Sequence, residues 1–233
     1  SRFVHIQIGN EDQLTADAIT HPLDISMVSA LRAVIEKATE SFERFEYAGA
    51  LHRSEEAFWS FCDHYLELVK TRAYAEDPSA ERRSARATLM LGLKTFLRLF
   101  APFMPYVTEE VWSWQFASAT DQKSVHQAAW PTLDEFVQTP ENYGPESFEA
   151  AVDVLTQVRG AKSLAKKSLK WPVTRLVIQS NDAHLAALEP VLPDVLRAGK
   201  VEGDGLTLLS GAVPDKDKQR FLIETTLSDS PAP

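Results

Sequence analysis

The 233-residue sequence predicts a mainly α protein: a helical bundle followed by a small α/β subdomain. Two observations carry that expectation. Apolar residues recur at three- and four-residue intervals over long stretches of the first 116 positions, the signature of amphipathic helices. Past residue 170 the period shortens to the alternation of strands. Hydrophobic residues make up 44% and charged residues 24%, which permits a buried core of ordinary density. No apolar run approaches a membrane span, so no membrane partner is expected. A lone cysteine, Cys62, precludes an internal disulfide. The chain starts at Ser1 without a leader pattern, which suits a piece of a longer cytoplasmic protein.

Residues 1–22 read as a lead-in closed by His21-Pro22, because the residue before proline disfavours helix. Asp24 is a candidate N-cap for a first helix striped by Ile25, Val28, Leu31, Val34, Ile35, Ala38, Phe42 and Phe45. A second helix runs from about Tyr47 to Tyr74. Leu51, Phe58, Cys62, Tyr65 and Val69 form its stripe, with Phe61 and Leu68 beside it, and Cys62 reads as a buried structural residue. A third starts near Pro78 and ends at Pro102. Pro102 and Pro105 then impose a corner, and Thr108, Glu109 and Glu110 open a short helix. Short joins between these helices predict an antiparallel bundle. Residues 117–147 read as a surface connection packed down by Trp130, which completes a domain over 23–146. A second subdomain, 147–233, opens with a helix at about 147–167. It continues with strand-like runs at Val173–Ser180, Leu206–Leu209 and Phe221–Leu227, and a proline-broken helical segment at 183–198. The last residues read as a frayed end.

The residues show no catalytic constellation. Cys62 and His64 are two positions apart on a helix and diverge by roughly 200°. No glycine-rich phosphate loop and no metal-ligand spacing occurs. What remains is binding chemistry. Net charge is −9, yet no acid lies between Asp153 and Asp182, while Arg159, Lys162, Lys166, Lys167, Lys170 and Arg175 supply positive charge there. A locally basic face can bind a polyanion on an acidic protein. Arg159, Lys162, Lys166 and Lys170 recur at helical spacing, a pattern equally suited to a solvated helix face. Lys70 and Arg72 close the second helix and Arg82, Arg83 and Arg86 open the third. In antiparallel neighbours these gather at one tip, near Trp59 and Tyr74. Phosphates call for such cations and unpaired bases for such flat side chains, although core packing is at least as good a use of either aromatic.

FCDHYLELVKTRAY (61–74), LRLFAPFMPYVTEEVWSW (97–114) and SVHQAAWP (124–131) are where pattern passes into family. Together they resemble the anticodon-binding region of class I aminoacyl-tRNA synthetases, closest to the valine-specific ones. Ser1-Arg2-Phe3-Val4 looks like the joint beyond the catalytic domain. The resemblance covers about residues 1–175. It implies a tRNA-binding domain of a valine–tRNA ligase, with tRNA-Val and the catalytic and editing domains of the same polypeptide as partners. ATP and Mg2+ would act in the parent enzyme and no cofactor in this part. The anticodon would end in A-C. On that reading Trp59, Lys70, Arg72 and Tyr74 are expected near the anticodon, and Arg82, Arg83 and Arg86 along the stem backbone. Arg159, Lys162 and Lys166 form a second candidate surface. The ATP-binding signatures of the family are absent, with His5-Ile6-Gln7-Ile8-Gly9 only a superficial echo. After Gly199 the sequence shows glycines and strand-like runs instead of the heptads of the coiled-coil arm that often ends valine-specific members, so that arm is either lacking or replaced by the small α/β module. The alternatives are an isoleucyl synthetase domain of the same architecture and a helical protein-interaction scaffold with no RNA role.

Overall fold

The computed structural model describes residues 15–118, 122–136, 144–211 and 219–230. The lead-in before residue 15, with the two short motifs noted there, and the last three residues lie outside them. The chain divides into two compact units. The first holds the described residues up to Leu66 together with Arg72–Gly144; the second holds Glu67–Thr71 and the described residues from Pro145 onward.

In the first unit, helix α1 spans Pro22–Glu43. Its N-cap is His21, whose Nδ1 accepts from the Leu23 amide at 3.3 Å, with Pro22 in the first-turn slot that suits it. Asp24 is therefore not the cap but a first-turn residue sealed in the core. Helix α2 begins at Tyr47 and runs to Ala73, interrupted by a widened π-helical turn over Phe61–Tyr65. That turn falls within the FCDHY motif, and such turns collect at functional positions. Phe61, not Cys62, faces the core; Cys62 is half-exposed beside it. Burial still pushes its thiol pKa up, leaving it a poor nucleophile.

Helix α3, Ala80–Phe100, is capped by Ser79 Oγ, which accepts from the Arg82 amide at 3.2 Å. Gly92 sits inside it because the ring of Phe61 approaches so closely that a Cβ there would lie 2.6 Å from it. The two prolines turn the chain into helix α4, Pro105–Gln115. Among the described residues of the following connection, Trp130 packs down as expected. Trp130 Nε1 donates to Thr39 Oγ1 at 2.9 Å and its ring meets Phe42 edge-on. Arg98 grips Glu135 with two bonds, at 2.7 and 2.9 Å. Trp112 is fully buried at the centre of α4, its Nε1 donating to Gln122 O.

The second unit opens with helix α5, Glu146–Leu164, and strand β1, Val173–Ser180. Short helices α6 (Asp182–Leu188) and α7 (Leu192–Gly199) follow, then β2 (Leu206–Ser210) and β3 (Leu222–Leu227). Pro190 lies in a tight turn and Pro193 in the first turn of α7, where both are tolerated. The sheet order is β2-β1-β3, with β1 parallel to β2 and antiparallel to β3. Leu176 and Ile178 point to the buried side with Val158 and Leu155 of α5, while Arg175 and Gln179 alternate outward. A mainly α bundle and a small α/β subdomain are thus both present.

Candidate nucleic-acid interface

The tip where α2 ends and α3 begins is built around one buried carboxylate. Asp24 Oδ1 accepts from Tyr65 Oη at 2.7 Å and from Arg72 Nη2 at 2.8 Å. Its Oδ2 accepts from Arg72 Nη1 at 2.9 Å and Ser84 Oγ at 2.6 Å. Ser84 Oγ in turn accepts the backbone N–H groups of Thr20 and His21, each at 3.0 Å. Burial alone would raise the Asp24 pKa; the charge and hydrogen bonds of Arg72, with His21 and the Ser84 hydroxyl, together offset it and hold the carboxyl below its ordinary value. Burial, with the negative Asp24 beside it, pushes the Tyr65 hydroxyl well above the usual tyrosine range, so it remains a donor.

This network and the α2–α3 packing beside it correct two of the candidate contacts. Arg72 is 3% exposed and spends its guanidinium on Asp24 and on Glu81 O. Arg86 is also buried, its Nε donating to Ala73 O at the end of α2. Neither is available to a ligand. The sequence pattern placed both at the right end of the bundle, but their direction inward depends on Asp24 and on the α2–α3 packing.

Tyr74, Arg82 and Arg83 remain at the surface of that tip, Arg82 only partly. Arg82 Nη1 donates to Glu76 O at 3.1 Å and Arg83 Nη1 to Pro78 O at 2.7 Å, so both staple the turn between the helices. Glu76, Asp77 and Glu81 are exposed in the same segment. The tip is therefore mixed in charge, with a flat side chain and two guanidinium groups fixed on rigid backbone. Lys70 is exposed and paired with Glu67 at 3.2 Å, on the stretch grouped with the second unit. Trp59 is exposed but stands fifteen residues before Tyr74, about 22 Å along the rod. It does not share the tip. Flat side chains that sequence reasoning missed lie at the opposite end of the bundle: Phe45, Tyr47 and, 90% exposed, Tyr106. A polar residue in the apolar phase marks a buried position, but nothing local marks an exposed aromatic.

In the second unit the expected basic stripe does not form. Helix α5 ends at Leu164 because Lys166 adopts φ 53°, which turns the chain away before Lys170. Lys162 is buried, its Nζ donating to Leu169 O at 3.0 Å and Gly199 O at 2.7 Å. Burial, reinforced by the charges of Lys200 and Arg159, lowers its pKa to about 8. It is a structural tie and not a contact surface. Arg159 is partly buried and Lys166 exposed. Among the described residues no group of His, Cys, Asp and Glu could hold a metal ion, and no helix is long and apolar enough to cross a membrane.

The first unit is a helical bundle with a buried polar hub and two guanidinium groups stapled at one tip. Residues 24–178 match the model of the anticodon-binding domain of tRNA ligase, and the chain belongs to that family. More particularly, it is similar to valine–tRNA ligases. It is 44% identical over 197 residues to the one from Salinispora tropica, 78% of this chain and 22% of the relative. It is 43% identical over 202 residues to that of Thermobifida fusca, 86% of this chain and 22% of the relative. It is 40% identical over 216 residues to that of Cutibacterium acnes, 92% of this chain and 23% of the relative. The chain thus spans about a fifth to a quarter of the length of the curated relatives it matches.

Proposed function

We propose that this chain is the anticodon-binding part of a valine–tRNA ligase and holds tRNA-Val in register for aminoacylation elsewhere in that polypeptide. The family match over 24–178 carries the reading, and the similarity to relatives named valine–tRNA ligase supports valine as the amino acid. On this reading ATP and Mg2+ belong to the catalytic domain of the parent, an editing domain accompanies it, and the cytoplasm is the site of action. The chain itself makes and breaks no bonds. It contributes binding free energy and orientation, which a remote catalytic centre converts into rate.

Tyr74 is the side chain we assign to stacking on an unpaired anticodon base, worth about 1–3 kcal/mol per base. Arg82 and Arg83, held by the turn, face the phosphates. Lys70 and Trp59 contribute from their own positions on α2 and not from one shared pocket. Gel-shift competition between tRNA-Val and tRNA-Ile transcripts tests the assignment. Preference for the valine transcript is expected, and its affinity should fall roughly 5- to 150-fold in Tyr74→Ala. Equal affinity for both transcripts would remove the valine assignment. Absence of any salt-sensitive tRNA binding would leave the scaffold reading in its place.

A further inference from the structure

Two helices of the second unit end in the same unusual way. Glycine is the default in the left-handed position just past a helix, because any Cβ is penalised there. Lys166 after α5 has φ 53°, and Lys200 after α7 has φ 55°. Both are closed by the expected reversed bonds: Lys167 N–H donates to Lys162 O at 2.9 Å, and Val201 N–H to Leu196 O at 2.9 Å. In each case the chain carries a lysine, with its side chain exposed, in a slot where glycine costs least.

The two ends are also tied together. The buried Lys162 ammonium bridges Gly199 O and Leu169 O, so the lysine-bearing turns cannot drift apart. Lys167 lies with its Nζ 3.8 Å from the centroid of the Trp171 ring, and Trp171 Nε1 is anchored to Ser228 O at 2.8 Å. Lys170 is exposed in the same turn, beside Leu169, and Leu164 is 89% exposed. Among the described residues no carboxylate lies within ion-pair distance of Lys166, Lys167, Lys170 or Lys200. Glu202 and Asp204 follow Lys200 in sequence and are exposed.

Cations at helix C-termini offset the helix dipole. That accounts for their sign but not for their backbone, since a lysine at any exposed last-turn position would do so without left-handed strain. Strain retained at the surface points to function. We infer that the joined C-terminal ends of α5 and α7, through Lys166, Lys167, Lys170 and Lys200, form a second RNA surface that grips the phosphodiester backbone. The unpaired cations meet phosphates, Trp171 keeps Lys167 extended over its face, and the exposed leucines lie against sugars. This rests on the tRNA reading and deepens it, adding a contact that is blind to the anticodon.

The experiment replaces both strained lysines in the full 233-residue chain, Lys166→Gly with Lys200→Gly, and titrates a tRNA-Val transcript and an anticodon-swapped transcript across a salt series. Glycine suits both backbones, so the thermal midpoint should hold or rise. Affinity for both transcripts should fall roughly tenfold at about 0.1 M salt. The slope of log K against log salt should flatten by about 1.4–1.8, two phosphate contacts' worth. Lys166→Asn with Lys200→Asn, also at ease in this conformation, should behave the same way. Unchanged affinity and slope would overturn the inference, even where the unsubstituted chain still prefers the valine anticodon. A flattened slope without anticodon preference would sustain it while removing the anticodon reading. An acidic protein as the true partner would show as tRNA affinity and slope that both variants leave untouched.

Discussion

Replacing Asp24 by Asn keeps the shape of the hub and removes its charge. The carboxylate serves four donors, two from Arg72 and one each from Tyr65 and Ser84. An asparagine can accept at one oxygen only, and its amide would face two donors with nothing to offer them. Arg72 would remain buried with its charge uncompensated. Breaking a buried pair in this way costs about 3–5 kcal/mol, a large share of the roughly 5–15 kcal/mol that holds a typical domain folded. Hydrogen exchange on the amides of α1 reports the first unit alone and is the assay of choice, since the two units need not unfold together. Arg72→Met in the Asp24→Asn background should recover part of the loss, giving a coupling of about 2 kcal/mol or more. The charge also has a pH signature. Because the folded-state pKa of Asp24 is depressed, its stabilisation is present above the unfolded value, near 4, and is lost as pH falls through the folded value. Asp24→Asn should flatten that acid limb. A loss under about 1 kcal/mol, or strict additivity with Arg72→Met, would refute the view of the hub as the keystone of the α1–α2–α3 packing.

Gly92→Ala should cost about 1–3 kcal/mol by urea titration, since its Cβ would strike the Phe61 ring at 2.6–2.7 Å and force a shift of backbone or ring; adding Phe61→Leu should return part of that. Lys162 has a folded pKa of about 8 against 10.5 when free, so the unfolded chain binds the extra proton between those values. Stability should therefore rise with pH across 8 to 10.5, by up to about 3 kcal/mol, and Lys162→Met should abolish the rise when both proteins are followed by urea unfolding. Glu135→Ala should release the connection held by Arg98, seen as faster proteolytic nicking between α4 and α5 with less than about 2 kcal/mol of lost stability, because the pair is partly exposed.

The helices were legible because their cause is local. Apolar spacing in α1, α2 and α3 acts over three or four residues, so a linear reading sees it; the starts were read less well, since His21 and not Asp24 caps α1, Ser79 caps α3 with Pro78 outside it, and α4 begins at Pro105. The strands of the second unit were legible from period two for the same reason. The recognition motifs too were intact in the chain, and with them the tRNA-ligase family. Tertiary structure decided which cations face water. Arg72 turns inward to an aspartate 48 positions away, Arg86 caps a helix end 13 positions back, and Lys162 reaches a carbonyl 37 positions on. Such partners are distant in sequence, and a charge enters the interior only where they wait for it. It likewise decided that Lys166 ends its helix, which dissolved the basic stripe and left in its place two strained lysines at the joined ends of α5 and α7.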